Sequence, residues 1–554
     1  MFLKITRAKN YEYIKLVEAY REEGKSKQRV LYNFGRADLI RNDEGFLRIV
    51  KQLCEIANLP VEHGGKENPF ADCSEATFYN YGYLAYRKLW RKLGIEGCLE
   101  EAEHETKIEY SLPETTFLMV LQHLLEPMSK YATCENQERY FHLPEKSLHQ
   151  MYRALTRLSE QKEEIEANLF EYNYVRTNKS VDVVFYDVTT VHFESVYADE
   201  LRDFGFSKAG KYNEVQVVLG MIIDSDGLPV GYELFKGNTF EGKTLLKTLE
   251  KIKNRFRISR VIIVADRGIN QKINLKHIKD AGYGYIMAAK IKGASAKLQE
   301  KIFNEEGFSD ICDTEGNLRL RYKVMEHENI FKDENKVTHC LLENMIVSYS
   351  PKRAKKDEAD RARLVAKAER LLENPEQIKS TNKRGGRKYI NQTSQNTETY
   401  ELATAKIEQD ARFDGFYAIQ TSEKNMSAPE IMDAYHTLWK IEESFKIMKS
   451  TLEIRPVYHS KPCQIEGHFV VCFLAFLMER KMEIILKNSI ANDDSESASV
   501  AKIQKALNSM QLAAVTTKQG EVFIKSKTHP LASKIFSRLK LKMPENISYR
   551  DDLI

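Results

Sequence analysis

The chain has 554 residues, more than one ordinary domain of roughly 100–200 residues, so three or four structural units are expected. Its composition, 42% hydrophobic and 30% charged, suits a globular protein with a real core and excludes a disordered or fibrous one. Lys and Arg number 84 against 80 Asp and Glu, a formal charge of +4, so only the distribution of basic residues can argue for nucleic acid.

Eight cysteines are scattered without a CxxC pair, which argues against a zinc knuckle or a disulfide framework and fits a reducing cytoplasm. The opening MFLKITRAKNYEYIK lacks the apolar run of a signal peptide. The longest apolar run, Phe469 to Met478 (FVVCFLAFLM), is about half of the roughly 20 residues a spanning helix needs. It is expected to be a buried core helix, with no membrane as partner.

Taken in chain order, YEYIKLV (11–17) and KQRVLYNF (27–34) flank a Gly-containing polar turn and predict a small N-terminal β-hairpin over 1–36. From 37 to 175 apolar residues recur at helical spacing, as in Leu118, Leu121, Leu125 and Met151, Leu155, Leu158, which predicts an all-helical domain. At 181 the pattern changes: VDVVFYDV, VQVVLGMIID (215–224) and PVGYELF (229–235) read as three strands. KTLLKTLEKIKNRF (243–256) reads as a helix, VIIVAD (261–266) as a buried strand, INLKHIKDAG (273–282) as a helix closed by Gly, and YGYIMAA (283–289) as a strand. The order βββαβαβ is that of an α/β, ribonuclease H-like mixed-sheet core, over 176–289 and 411–455.

Residues 290–410 break this regularity with a charged helical stretch (352–373) and a Gly/basic loop (382–388), so an inserted subdomain is expected there. The core resumes with the strand GFYAIQT (415–421) and one long helix over 429–452, Pro429 suiting its first turn. The remainder, 456–554, is expected to be mainly helical.

Phosphodiester cleavage by the two-metal route needs a carboxylate cluster that holds two divalent ions about 3.5–4 Å apart. Oxygen ligands suit Mg²⁺ or Mn²⁺. Asp187 closes VVFYD and Asp266 closes VIIVAD, and an acid ending a buried strand is costly to desolvate unless it coordinates or is paired. Either aspartate alone is more often a cap or turn residue. Glu442 borders the apolar stripe of Leu438, Ile441, Phe445 and Met448, and two readings of it stay open: a carboxylate reaching the sheet, or, with Glu443, a solvated partner of Lys446 and Lys449.

These motifs together, YDVTT, VIIVADRG and Tyr435-x2-Leu438-x3-Glu442-x6-Lys449, resemble the DDE insertion-sequence transposases of bacteria, the subgroup with a Tyr-x2-Arg-x3-Glu-x6-Lys signature and an insertion before the Glu-bearing helix. The resemblance spans about 180–480 and includes 204–246 and RPVYHSKPCQIEGHFVVCFLAFL (455–477). It implies Asp187, Asp266 and Glu442 as the catalytic, metal-binding triad for two Mg²⁺ or Mn²⁺ ions. It also implies Tyr435 and Lys449 as contacts to the transposon end, and Lys446, Arg267 and Lys208 complete the expected DNA-binding set. The signature arginine is Leu438 here, a loss that Lys440 or Lys446 is expected to offset.

Further basic clusters suited to phosphate are Arg7, Lys9, Lys25, Lys27 and Arg29, then Lys352, Arg353, Lys355 and Lys356, then Lys383, Arg384, Arg387 and Lys388. Lys211 joins Lys208 before the second strand, and the helical domain 37–175 is the expected end-binding domain. Tyr435 and Trp439 offer rings to an unpaired base, core packing being the commoner fate of Trp439. His192, His459 and His468 are expected to be structural or beside the substrate, because a metal-activated water needs no histidine base.

The implied function is cleavage at transposon ends and strand transfer into target DNA, by a homodimer on the DNA ends in a bacterial cytoplasm, associated with the nucleoid. Alternatives are a ribonuclease H-like nuclease that cuts without joining, and an inactivated transposase acting as a DNA-binding protein. A carboxylate-pair glycosidase fits neither the basic loops nor the element order.

Overall fold

A computed structural model of the chain describes residues 1–550 apart from 9–10, 23–24, 58, 60–75, 105–107, 206–212, 257, 259–260, 267, 334, 375, 381–384, 394–398, 456, 488–497 and 518–519. The strands in chain order are β1 (Phe2–Ala8), β2 (Tyr11–Glu22), β3 (Lys25–Arg36), β4 (Thr77–Asn80), β5 (Val183–His192), β6 (Gln216–Asp224), β7 (Pro229–Lys236), β8 (Ile262–Ala265) and β9 (Gly284–Ala288). There follow β10 (Ser309–Cys312), β11 (Leu318–Lys332), β12 (Thr338–Tyr349), β13 (Ile390–Gln392), β14 (Tyr400–Leu402), β15 (Phe416–Thr421), β16 (Gln511–Thr517), β17 (Gly520–Lys525) and β18 (Ile547–Tyr549). The chain divides into two compact units, Met1–Glu75 with Thr516–Glu521, and Ala76–Val515 with Val522–Ile554.

In the first unit the expected hairpin is a three-stranded antiparallel sheet, β1-β2-β3, with two helices after it, Ala37–Ile40 and Glu44–Ile56. The FLKITRA run of β1 escaped the sequence reading because all but one of its residues are exposed. Arg7, Lys27 and Arg29 pair with Glu12, Glu22 and Glu18 across this sheet. Those cations are partly neutralised, and Lys9 lies outside the described residues.

The second unit is built on a nine-stranded sheet of order β10-β11-β12-β15-β9-β8-β5-β6-β7. Its half β7-β6-β5-β8-β9 is the ribonuclease H-like core, with β5, β8 and β9 parallel and β6 antiparallel to β5 and β7. Within the expected insertion, β10 to β12 extend this sheet through the antiparallel pairs β10 with β11, β11 with β12 and β12 with β15. The strand alternation sorts the core residues. Phe185 and Val191 of β5 join one cluster, with Ile441, Phe445, Phe469 and Phe473. Val184, Tyr186 and Val188 join the other, under the helices Glu241–Arg255 and Lys272–Asp280 with Leu245, Leu249, Leu275 and Ile278.

The apolar run 469–478 lies in the buried helix Pro462–Lys487, as expected, and no helix among the described residues is long and apolar enough to cross a membrane. Two departures are non-local. β4 interrupts the otherwise helical 37–175 and pairs with β16, and the C-terminal region contributes β16, β17 and β18 to that four-stranded sheet besides its helices. Partners more than 400 residues apart leave no local pattern to read.

The helix Pro462–Lys487 crosses the helix Leu148–Glu160 at Gly467, where a Cβ would press into the Leu155 carbonyl. Gly467→Ala is therefore expected to lower stability by about 1–3 kcal/mol, as overpacking does. A urea midpoint equal to that of the unaltered chain would contradict the close crossing.

Candidate active site

The site starts from strand register. β5 pairs with β8 from Val183↔Ile262 to Tyr186↔Ala265, so Asp187 on β5 and Asp266, just past the end of β8, each follow the last paired residues of adjacent strands. β8 ends there and Asp266 is exposed, whereas β5 continues to His192 against β6, pairing Asp187 with Met221. Asp187 is thus mid-strand and half-buried, and not at a strand end as its sequence suggested.

The expected long helix over 429–452 is two helices, Ala428–His436 and Trp439–Ser450, broken at Thr437-Leu438. The first opens with a capping box between Ser427 and Glu430 and has Pro429 in its first turn. Both residues of the break keep right-handed helical dihedrals, so Tyr435, Glu442 and Lys449, seven apart, follow nearly one face. The two ends of that stripe are anchored on the strands of the two aspartates. The Tyr435 hydroxyl donates a long hydrogen bond of 3.4 Å to Asp266 Oδ1, and Lys449 Nζ bonds Thr189 Oγ1, two residues beyond Asp187 on the same face of β5.

Burial pushes the Tyr435 hydroxyl well above the ordinary phenol range, reinforced by Tyr417 and Asp266, so it stays protonated and can donate. Its ring lies 5.6 Å from that of Tyr417. Glu442 is exposed, and among the described residues it has no ion pair, while Glu443 beside it pairs with Arg480 at 3.3 Å. The pairing of Glu442 with Lys446 or Lys449 is not formed. Nor do the three carboxylates close up: among the described residues only His123, His468 and Cys472 bring three ligand atoms within 4.8 Å of one another. Mutual repulsion of three acids is what a divalent cation offsets, and all three offer the oxygen donors such an ion takes.

Other expected contacts fall elsewhere. Leu438 is 6% exposed and packs in the core, so the signature position is occupied by a side chain that cannot face DNA. Lys440 donates to the Ser225 carbonyl at 2.5 Å on the β6–β7 turn, away from the stripe, and Lys446 is exposed. Trp439 is 45% exposed, against the expectation of core packing. Lys208, Lys211, Arg267, Lys383 and Arg384 lie outside the described residues. Arg353 pairs with Asp357 at 3.6 Å and Lys388 pairs with Asp410. His192 is buried on β5, and His459 and His468 belong to a separate cluster that burial keeps neutral, with His459 pushed down to about 4. Thr189 and Tyr417 were missed by the sequence reading, because a Thr and a Tyr in apolar strands look like packing.

A ribonuclease H-like sheet with two in-register aspartates and a carboxylate-bearing helix on the same side defines a class of polynucleotidyl transferases and nucleases. The chain belongs to the transposase DDE domain family, whose model matches residues 179–478, and residues 3–59 match the N-terminal domain of IS1634 family transposases. It is a DDE transposase, an enzyme of DNA transposition in a family that uses divalent metal ions. Among solved structures, a piggyBac transposase in a synaptic complex with hairpin DNA, determined by cryo-EM, is similar at 8% identity, covering 79% of this chain and 82% of that one with a TM-score of 0.34. A Mos1 transposase in a paired-end complex with the left transposon end is similar at 13% identity over 32% of this chain and 60% of that one, with a TM-score of 0.15. No curated relative matches the chain.

Restoring the signature arginine is expected to harm this protein. Leu438→Arg would bury a guanidinium without a partner, a cost on the order of 3 kcal/mol. A thermal midpoint equal to that of the unaltered chain, with tighter DNA binding, would show that position 438 can turn outward.

Proposed function

We propose that this transposase cuts DNA at its transposon ends and joins the freed 3′-hydroxyl to target DNA, with Asp187, Asp266 and Glu442 holding two Mg²⁺ or Mn²⁺ ions. The observation that supports the reading is the Tyr186↔Ala265 register, since Asp187 and Asp266 are the residues that follow this last pair. Hard oxygen donors of this kind fit Mg²⁺ and Mn²⁺. When bound, such ions supply charge neutralisation at the phosphate and activation of the attacking oxygen.

The chain's own residues do the rest. Tyr435 holds one oxygen of Asp266 and so fixes the carboxylate's orientation, a positioning role. Glu442 lies midway along the stripe anchored at Asp266 and Thr189, on the side of the sheet that Asp187 faces. Lys449, held against Thr189, offers a cation to a phosphate near the cut. Holding two ends for joining requires two copies of the chain, so a homodimer on DNA in the bacterial cytoplasm is part of the proposal.

With DNA carrying the element's own ends, Asp187→Asn, Asp266→Asn and Glu442→Gln should each abolish Mg²⁺- or Mn²⁺-dependent cleavage while end binding survives. Near-normal cleavage by any one of them would break the triad. Cleavage by the unaltered enzyme without any joined product in a strand-transfer assay would favour the nuclease reading.

A further inference from the structure

A second polar site lies just beyond the helix Trp439–Ser450. Two adjoining cavities of about 510 and 470 Å³ share Tyr152, Tyr458 and His459 and form one groove lined in part by Glu453, Arg455 and residues 458–461. At its floor is Lys130, 5% exposed, whose ammonium has His123 Nε2 at 3.2 Å as a partner and no carboxylate among the described residues. His123 Nδ1 is 2.9 Å from the Leu452 carbonyl, so Nδ1 is the donor and Nε2 accepts from Lys130. Burial pushes Lys130 down to about 8, His123 to about 3 and His459 to about 4, so the imidazoles are neutral and cannot offset one another's neighbour. A buried cation without an anion is costly, and the cavity beside it is where an anion would offset that cost.

The walls continue the pattern. Arg455, Lys461 and Arg153 line the groove and have no ion pair among the described residues, and Glu453 is the lone carboxylate of its lining. Tyr131 and Tyr458 stand 62% and 68% exposed at its mouth. The larger cavity beside Gly268, about 800 Å³, is different: there Arg353, Arg361 and Lys388 are matched by Asp357, Asp414 and Asp410. Unmatched cations interleaved with exposed aromatic rings are what a single nucleic-acid strand needs, phosphates on the cations and bases on the rings. The groove's backbone is also tied to the catalytic elements, since Arg202, in the loop after β5, donates to the Ser460 carbonyl at 3.1 Å.

We propose that this groove receives an unpaired stretch of DNA strand continuing from the active site, with a phosphate over Lys130 and Arg455 and a base against Tyr458. The proposal rests on the transposase reading but not on which acids cut.

The test is fluorescence anisotropy of a labelled single-stranded oligothymidine on the full chain carrying Asp187→Asn, in EDTA, so that cleavage plays no part. Arg455→Ala with Lys461→Ala should weaken binding about tenfold and make the salt dependence shallower by about 1.4, two phosphates at about 0.7 each on a single strand. Tyr458→Ala should weaken it about tenfold, Tyr458→Phe should restore it, and an abasic oligomer should not sense either change. All of these side chains except Arg455 are exposed, so thermal midpoints should stay within about 2 °C. Unchanged affinity in both variants, equal losses on a blunt duplex, or no binding by the parent chain would each overturn the proposal. In the first two cases the triad reading stands. In a parallel assay without EDTA, a defect that is rescued by adding Zn²⁺ would instead assign the floor to a His123–His468–Cys472 metal site and likewise overturn it.

Discussion

The parallel pairing of β5 with β8 is the constraint on which the site depends. Parallel strands have evenly spaced bonds, so a register, once set, carries every later residue to a defined level. Val183↔Ile262 at one end becomes Tyr186↔Ala265 at the other, immediately before Asp187 and Asp266. Because β8 stops and β5 continues, the sheet opens a step at that level. One aspartate is backed by β6 and the other leads into a turn. Apolar β-branched runs on both strands fix this register.

The helix layer repeats this logic. Ile441, Phe445 and Met448 seat the helix Trp439–Ser450 in the same core as Phe185, and Leu438 seats the break before it. Tyr435 on one side of the break and Lys449 at the far end then touch the two strands that carry the aspartates. Leucine in place of the signature arginine makes mechanical sense here, since a residue that turns inward between two helices is better apolar. The cations for DNA must then come from elsewhere, and Lys130, Arg455 and Lys461, which have no carboxylate partner among the described residues, are candidates.

Much of the fold could be read from the chain because β5 to β9 are short apolar runs punctuated by Gly and Asp, and their helices are amphipathic. β10 and β11 could not, because β10 is only four residues long and in β11 charged and polar residues interleave with the apolar ones along a largely exposed strand; β12 was not read either, though its second half is apolar. The break at Thr437-Leu438 has neither Gly nor Pro to announce it. In the site, Asp187 and Asp266 were legible as acids set in buried strands, whereas Glu442 rested on the resemblance, since an exposed helix glutamate carries no signal of its own. Lys130 was invisible. It is buried against His123, which is itself held by the Leu452 carbonyl, a tertiary arrangement with no local pattern.

The most direct measurement of the central claim is metal-directed cleavage of the protein itself. With Fe²⁺ in place of Mg²⁺, and ascorbate and peroxide to generate hydroxyl radical, the chain should be cut beside residues 187, 266 and 442, and excess Mg²⁺ should suppress all three cuts. Cuts confined to the neighbourhood of His123, His468 and Cys472, or cuts at 187 and 266 without one at 442, would contradict the triad.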